Sequence, residues 1–291
     1  MRRIHFVAIV LTLLCLLVTP ILAQEDHIVQ IAVETFKAQI RIPPGTEIKF
    51  AEKKEGPIPA FYSVKLLLST IDKEIPVMVY VDKSGEKVFL GNIFVKGENV
   101  TAKEAGLPRI KKIDMRSLDI DQSPSIGPKE AKVAIVEFSN FNCPYCAASW
   151  PQIKKLIEKH SKNIKYVFKH FPLQSEGKTF ELSEMAAAAR ELSDEAFWIV
   201  HDLLFSSEGQ TLVKGETGPL RQKIEQNLKE RGYDLKAFRN SLESGSAKLK
   251  VREDLALGDK MRVTSTPTKV VNGDIIIGFT PDHVLEQYLT K

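Results

Sequence analysis

The sequence predicts an α/β domain that follows a smaller α+β domain. From about residue 130, hydrophobic periodicity gives the order strand, helix, strand, helical block, two strands and a helix. Residues 24–100 instead predict one helix followed by strands that Pro and Gly turns separate. A charged, polar segment at 101–117 lies between these regions, and we predict it to be a linker. The second domain is therefore expected at 118–291.

Residues 1–23 predict an export signal. Arg2 and Arg3 precede an apolar stretch that ends near Ala23, the order of a charged, an apolar and a cleavage region. An uncleaved membrane anchor is the alternative, although the stretch is short for a span. Cys15 lies within it and is given no function. A net charge of +4 over 291 residues gives no electrostatic argument for nucleic-acid binding.

The elements predicted for residues 24–100 are one helix and three strands. Four apolar residues at helical spacing indicate the helix: Ile28, Ile31, Ala32 and Phe36. The strands are predicted at 61–68, 76–81 and 87–95, with a hairpin loop at 83–86. This region contains no Cys and no cluster of catalytic residue types, so its expected role is structural or interactive.

The second domain is predicted to contain strands at 133–138, 164–168, 268–271 and 274–277, with a helical block at about 180–258. The strand at 133–138 is an uninterrupted apolar run apart from Glu137, typical of a strand buried on both faces. Asn272-Gly273 is a hairpin turn signal between the last two strands.

Cys143 and Cys146 lie where the first of these strands is followed by a helix. A thiol at a helix N-terminus faces unpaired N–H groups and the positive end of the dipole, and both favour the thiolate. Cys143 is therefore the expected nucleophile, and Cys146 is placed to attack a mixed disulfide formed on Cys143. A structural disulfide is a weaker interpretation because so short a loop removes little entropy, roughly 2 kcal/mol. Zinc binding is also a weaker interpretation, because a structural zinc site needs a second pair of ligands and the sequence has none.

The segments 137–146, 169–173 and 264–268 resemble those of the DsbA-like thiol–disulfide oxidoreductases. The resemblance covers about 115–291 and implies a thioredoxin fold with an inserted helical subdomain. It implies that Cys143 and Cys146 form a redox-active disulfide. Pro144 and Tyr145, between them, are expected to tune the stability of the thiolate. No cofactor and no metal are implied.

Further site residues follow from the same resemblance. Thr266-Pro267 matches a loop whose cis proline faces the disulfide, and there the backbone of Thr266 would pair with an extended substrate segment. Glu137 matches a buried acid that could relay the proton of Cys146. Lys169, on the neighbouring strand, is expected to pair with Glu137, the alternative for each being a solvated charge. His170 is expected to be structural.

Short motifs at 58–64, 80–82 and 89–93 resemble the dimerisation domain of the DsbC/DsbG-type isomerases, a cystatin-like α+β unit. The Cys-Pro-Tyr-Cys sequence is also the DsbG-type one. These resemblances imply a periplasmic homodimer, joined through 24–100, that isomerises or reduces disulfides in misfolded proteins. They also imply a redox partner, in the membrane or the periplasm, that recharges the cysteines.

Three other functions stay open at this point. A DsbA-like dithiol oxidase with an accessory domain is the nearest alternative, because the helical block is more typical of DsbA. A non-catalytic chaperone would not need Cys143. A metallochaperone would use the two cysteines to bind Cu(I), which soft thiolates prefer, although the Met residues are scattered and no Met/His-rich tract is present.

Overall fold

The computed structural model of the protein describes residues 26–290, so the predicted export signal and Cys15 lie outside the described residues. The helices are α1 His27–Gln39, α2 Val100–Ala105, α3 Pro144–Lys159, α4 Lys178–Leu192, α5 Asp194–Phe205, α6 Ser207–Lys214, α7 Thr217–Glu230, α8 Leu235–Ser244, α9 Ser246–Met261 and α10 Asp282–Thr290. The strands are β1 Glu47–Glu55, β2 Phe61–Ser69, β3 Lys73–Asp82, β4 Val88–Phe89, β5 Phe94–Val95, β6 Glu98–Asn99, β7 Arg109–Ile110, β8 Ser125–Ile126, β9 Val133–Ser139, β10 Ile164–His170, β11 Thr268–Val271 and β12 Asp274–Ile277. Short 3-10 helices occupy Met115–Leu118 and Ile120–Gln122.

The chain forms two compact units. The first contains α1, Phe50–Leu66 and Val77–Gly106, and the second contains Ile42–Lys49, Leu67–Pro76 and the residues from Leu107 onward. Helix α1 buries Ile28, Ala32 and Phe36, three of the four residues that predicted it. Its Asp26 side chain accepts a hydrogen bond from the N–H of Ile28 and so caps the helix.

Two strands of the first sheet differ from the prediction. The sheet has the order β1-β2-β3-β4, but the predicted strand at 87–95 is only β4 and β5, and β5 pairs with β6 instead of continuing the sheet. Gly91 and Asn92 interrupt that stretch. Strand β1 was not predicted because its sequence is mostly charged and its side chains are largely exposed. Strand β1 is therefore defined by its main-chain pairing with β2 and not by buried apolar side chains.

The sheet of the second unit has the strand order β12-β11-β9-β10-β8. Strands β9 and β10 are parallel, whereas β8, β11 and β12 each pair with their neighbours in antiparallel orientation. Both central strands are buried along almost their whole length, as the apolar run at 133–138 predicts. The C-terminal ends of the parallel strands lie at the same edge of the sheet, and α3 begins there.

Helices cover this sheet on both faces. Ile135, Tyr166 and Phe168 belong to the core cluster that contains α3 and the inserted helices α4–α8. Val136, Phe138 and Val167 belong to the cluster on the other face, against Val263 and Leu255. Side chains alternate between the two faces along each strand, as β geometry requires. This alternation decides which side chains can reach the cysteines.

Candidate active site

Cys143 is the residue that caps the N-terminus of α3. Strand β9 ends at Ser139, and the N–H of Cys143 donates to the carbonyl oxygen of Asn140 at 2.9 Å, which closes the connecting turn. Pro144 then occupies the first turn of the helix, where its missing N–H costs nothing. The sulfur of Cys143 lies near the N–H groups of Tyr145 and Cys146, as the sequence predicts.

The environment of Cys143 favours the thiolate. Its pKa is lowered to about 5, first because the Cys146 thiol donates to the thiolate, although burial acts in the opposite direction. The Thr266 hydroxyl and the N–H groups at the helix N-terminus lower it further. Cys143 retains 8% of its surface exposed, against 1% for Cys146, so it is the less deeply buried of the two cysteines.

Cys146 has the opposite properties. It is 1% exposed, and burial raises the pKa of its thiol far above the ordinary value. The neighbouring Cys143 sulfur and the charge of Glu137 act in the same direction. Both cysteines are free thiols in this structure. The pair therefore consists of one sulfur that ionises readily and one more deeply buried sulfur that stays protonated.

The loop that contains Thr266 and Pro267 lies directly against Cys143. The Thr266–Pro267 peptide bond is cis, as the resemblance implies. The thiol of Cys143 donates to the carbonyl oxygen of Thr266 at 3.3 Å. On the other side of the loop, the N–H of Gly278 donates to the carbonyl oxygen of Pro267 at 2.8 Å. Tyr145, between the two cysteines, is 64% exposed.

Glu137 lies beneath the cysteines and is buried, so the alternative of a solvated strand charge is wrong. It is 2% exposed, and its carboxylate lies 3.6 Å from the Nζ atom of Lys269, which is fully buried. Strand register explains the pairing, because Lys269 of β11 lies directly opposite Glu137 of β9. The Tyr166 phenol also lies close to this carboxylate. Burial, with the charges of Glu137 and Cys146, raises the pKa of the Tyr166 phenol well above its ordinary value.

The expected pairing of Lys169 with Glu137 is wrong. In the parallel β9–β10 register, Glu137 lies opposite Phe168, and Lys169 lies opposite Phe138. Because alternate side chains face opposite sides, Lys169 projects from the face remote from α3. There its Nζ atom lies 3.0 Å from the Oδ1 atom of Asp254. Lys169 is thus a buried structural cation outside the site.

Two buried histidines pack beside the site without entering it. His201 contacts the rings of Trp150, Trp198 and Phe205, and His170 contacts Phe168 and Phe197. Burial lowers the pKa of His201 to about 4 and that of His170 to about 3. Both are therefore neutral at physiological pH, in agreement with the structural role expected for His170.

Three residues near the site were not singled out from the sequence. Lys269 and Tyr166 contact Glu137, and the Gln210 side-chain amide donates to the carbonyl oxygen of Phe141 at 3.0 Å, two residues before Cys143. Lys269 could have been recognised from the sequence, because it is a lysine within the short strand that follows Pro267. Nothing in the local sequence connects Gln210 of α6 with the loop before Cys143.

Within residues 26–290, no cluster of three or more His, Cys, Asp or Glu side chains could hold a metal ion. Over the same residues, no helix has the length and apolar character needed to cross a membrane.

The fold, the thiol pair and the cis proline together define a thiol–disulfide oxidoreductase domain of the DsbA-like class. A family model described as thioredoxin matches residues 119–290, more than half of the chain, and the chain therefore belongs to the thioredoxin family. This match confirms the predicted fold of the second domain. It does not extend to the first unit.

Individual proteins are similar over the same region. The chain is 31% identical over 159 residues to the probable disulfide bond formation protein D of Bacillus anthracis, covering 52% of this chain and 70% of that protein. It is 34% identical over 161 residues to the Na(+)/H(+) antiporter NhaA 1 of Salinispora arenicola, covering 55% of this chain. The chain spans only 23% of that antiporter.

A solved structure supports the fold. The thiol-disulfide exchange protein α-DsbA2 from Wolbachia pipientis superposes with a TM-score of 0.51 at 22% identity, over 60% of this chain and 89% of that one. At this identity the likeness concerns the fold alone.

Proposed function

We propose that the protein is an exported thiol–disulfide oxidoreductase that oxidises thiols of protein substrates with its Cys143–Cys146 disulfide. The observation that carries this proposal is the contrast between the two sulfurs, with the pKa of Cys143 lowered to about 5 and that of Cys146 raised. A low-pKa thiolate is both a good leaving group and a stabilised product.

The reaction begins when a substrate thiolate attacks the Cys143 sulfur of the disulfide. The S–S bond breaks, its electron pair goes to Cys146, and a mixed disulfide joins the substrate to Cys143. A second substrate thiolate then attacks the substrate sulfur of that mixed disulfide and releases Cys143 as thiolate. The substrate leaves with a disulfide, and two electrons remain on the two cysteines. In the reverse direction, Cys146 resolves the mixed disulfide, and Glu137 accepts its proton.

The lowered pKa favours the oxidising direction. Ionisation of Cys143 with a pKa of about 5 stabilises the reduced form at pH 7 by roughly 2.7 kcal/mol relative to an ordinary thiol. For a two-electron couple this corresponds to a potential about 60 mV more oxidising. When the reduced form is stabilised, the Cys143–Cys146 disulfide readily accepts two electrons from substrate thiols. This is the property that a dithiol oxidase needs.

Export and recharging complete the proposal. Residues 1–23 are proposed to direct the chain to the periplasm, an oxidising compartment where such chemistry operates on proteins. After each turnover the two thiols need an electron acceptor, so a membrane or periplasmic redox partner is required. Its own disulfide or cofactor would take the two electrons from Cys143 and Cys146.

The second candidate is a dimeric isomerase or reductase of the DsbC/DsbG type. The presence of a first compact unit favours this candidate. Residues 24–100 are proposed as a dimerisation domain, which a linker at 101–117 joins to the domain at 118–291. In the described residues, β1 has a sheet neighbour on one side only.

The reduction potential against glutathione tests the leading candidate. We expect a potential nearer to the about −120 mV of a strong oxidant than to the about −270 mV of thioredoxin. We also expect rapid oxidation of a reduced, unfolded substrate. A potential at the thioredoxin end, with the pair mainly reduced in vivo, would overturn the oxidase assignment and favour a reductase or isomerase. Retention of substrate protection by a Cys143→Ala variant would instead indicate a chaperone.

Sedimentation of the chain lacking residues 1–23 tests the dimer. We expect this candidate to sediment as a homodimer at tens of micromolar, because residues 24–100 are proposed to join two copies. A chain that stays monomeric at tens of micromolar would exclude the dimeric candidate. Activity on scrambled ribonuclease would be the matching functional measurement.

A further inference from the structure

A cavity of about 290 Å³ lies beside the C-terminal end of α9, and we call it the α9 cavity. Its apolar wall consists of side chains that pack against the core cluster on the sheet face remote from α3: Ile71, Ile113, Leu257 and Met261. All the residues that line it belong to the second compact unit. This volume is near the lower end of the range for ligand pockets, ~300–1000 Å³, and therefore suits a small molecule.

The charged residues that line the α9 cavity are all cations. They are Lys111, Lys260 and Arg262, and among the lining residues that the structure describes none is Asp or Glu. Arg262 has its own partner, because its guanidinium pairs with Glu47 and also donates to the carbonyl oxygen of Ser69. The two lysines therefore supply the uncompensated positive charge of the cavity.

Lys111 is held in place without being neutralised. Its Nζ atom donates to the Ser69 hydroxyl at 2.6 Å and to the carbonyl oxygen of Thr70 at 2.7 Å, and both acceptors are uncharged. An ammonium group has three N–H donors, so one donor remains for a ligand. Lys260 forms neither a hydrogen bond nor an ion pair within residues 26–290.

The charges near Lys111 do not replace a partner. Burial is the largest influence and lowers the pKa of this lysine. Glu74 and Glu47 act against burial, but neither forms an ion pair with Lys111 in the described part of the chain, and the cations Arg262 and Lys49 lower the pKa further. An ammonium group in such a place is stabilised when an anion binds beside it.

A second cavity of the same unit shows the contrast. It also contains three cations, but each of them has a carboxylate partner, in the pairs Lys169–Asp254, Arg190–Asp194 and Lys250–Glu253. Its positive charge is therefore compensated by the protein itself. The α9 cavity leaves that compensation to a ligand.

We propose that the α9 cavity binds a small organic anion with an apolar body, namely a carboxylate on a short hydrocarbon chain. The carboxylate contacts Lys111 and Lys260, and the hydrocarbon chain lies against the apolar wall. The site includes neither Cys143 nor Cys146, so this assignment goes beyond the proposed thiol–disulfide function and does not depend on it.

Isothermal titration of hexanoate into the full chain tests the proposal. We expect one hexanoate to bind per chain, with an affinity that falls as salt is added, because salt screens exposed charges. Hexanol carries a similar chain without the charge, and acetate carries the charge without the chain. Each should bind at least about tenfold more weakly than hexanoate. No binding of hexanoate at millimolar concentrations, or equal binding of hexanol or acetate, would overturn the proposal.

Two variants test the contacts with the carboxylate. Lys111→Gln removes the charge and keeps an N–H donor for the carbonyl oxygen of Thr70, and we expect it to weaken hexanoate binding at least about tenfold. Lys260→Gln should weaken binding about threefold, because an exposed charge contributes less. Since Lys260 makes no hydrogen bond within residues 26–290, its variant also covers the case in which Lys111→Gln does not fold.

Lys250→Gln is the matched control. It removes the same charge from the same helix, but Lys250 pairs with Glu253 at 2.7 Å and does not line the α9 cavity. We expect this control to bind hexanoate as the wild type does. Equal weakening in all three variants would indicate a general effect of net charge and would overturn the proposal, as would wild-type affinity in both Lys111→Gln and Lys260→Gln.

Discussion

The Thr266 hydroxyl should control how strongly Cys143 ionises. With Cys143 as a thiol, the S–H group donates to the carbonyl oxygen of Thr266, and the buried Thr266 hydroxyl has no hydrogen-bond partner. After ionisation the same hydroxyl can donate to the thiolate, and this lowers the pKa of Cys143. The hydroxyl therefore stabilises one protonation state only. Thr266→Val removes that stabilisation and keeps the shape of the side chain.

The magnitude follows from the strength of a hydrogen bond to a charged group, about 1.5–3 kcal/mol. At about 1.4 kcal/mol per pKa unit, Thr266→Val should raise the pKa of Cys143 by about 1 to 2 units from its value of about 5. An increase of about 1.5 units removes roughly 1.9 kcal/mol of thiolate stabilisation at pH 7. The reduction potential should then fall by about 40 mV.

Ultraviolet absorbance of the thiolate, followed against pH, measures this change directly. Thr268→Val is the matched control, because the Thr268 hydroxyl donates to the carbonyl oxygen of Ser265 at 2.7 Å and not to the sulfur. We expect this control to lose stability while the Cys143 titration keeps its midpoint. The reasoning is refuted if Thr266→Val leaves the midpoint within a few tenths of a unit, or if both variants move it equally.

Two further predictions concern the neighbouring groups. Cys146→Ala should raise the pKa of Cys143, because the Cys146 thiol is the largest cause of its lowering. Mixed disulfides with substrates should also accumulate on non-reducing gels. An unchanged midpoint of the Cys143 titration would contradict this prediction. Lowering the pH from about 7 to about 4 should destabilise the fold, because unfolded histidines gain protons that buried His170 and His201 exclude. For His201 alone, the free energy of unfolding should fall by roughly 3 kcal/mol between pH 7 and pH 4, as measured by urea unfolding. His201→Phe should make the free energy of unfolding depend less on pH. The same pH dependence in His201→Phe and wild type would count against this prediction.

The parts of the site that follow from local sequence were predictable. A strand, a short turn and a helix put Cys143 at the helix N-terminus, because each of these elements has its own hydrophobic pattern. The hairpin around Asn272 and Gly273 was predictable for the same reason, since the turn type demands those residues, and both have positive φ.

The partner of Glu137 depended on information that no local pattern contains. Lys169 and Lys269 are both lysines on strands adjacent to β9, and the sequence favours neither. A shift of one residue in register places a side chain on the other face of a sheet. The observed register puts Lys269 beside Glu137 and Lys169 beside Asp254, so tertiary pairing alone decides the roles. Strand β1 was missed on similar grounds, because an exposed strand needs no apolar alternation.

The coupling between the two sulfurs orders the reaction steps. While Cys143 is a thiolate, its sulfur is one of the groups that raise the pKa of Cys146, so the inner sulfur stays protonated and unreactive. Once Cys143 becomes bonded to a substrate sulfur, that sulfur is no longer ionised and no longer competes for the Cys146 proton. Loss of the Cys146 proton is then easier than in the free enzyme. Formation of the mixed disulfide thus prepares its own resolution, and the second sulfur reacts only after the first has captured a substrate.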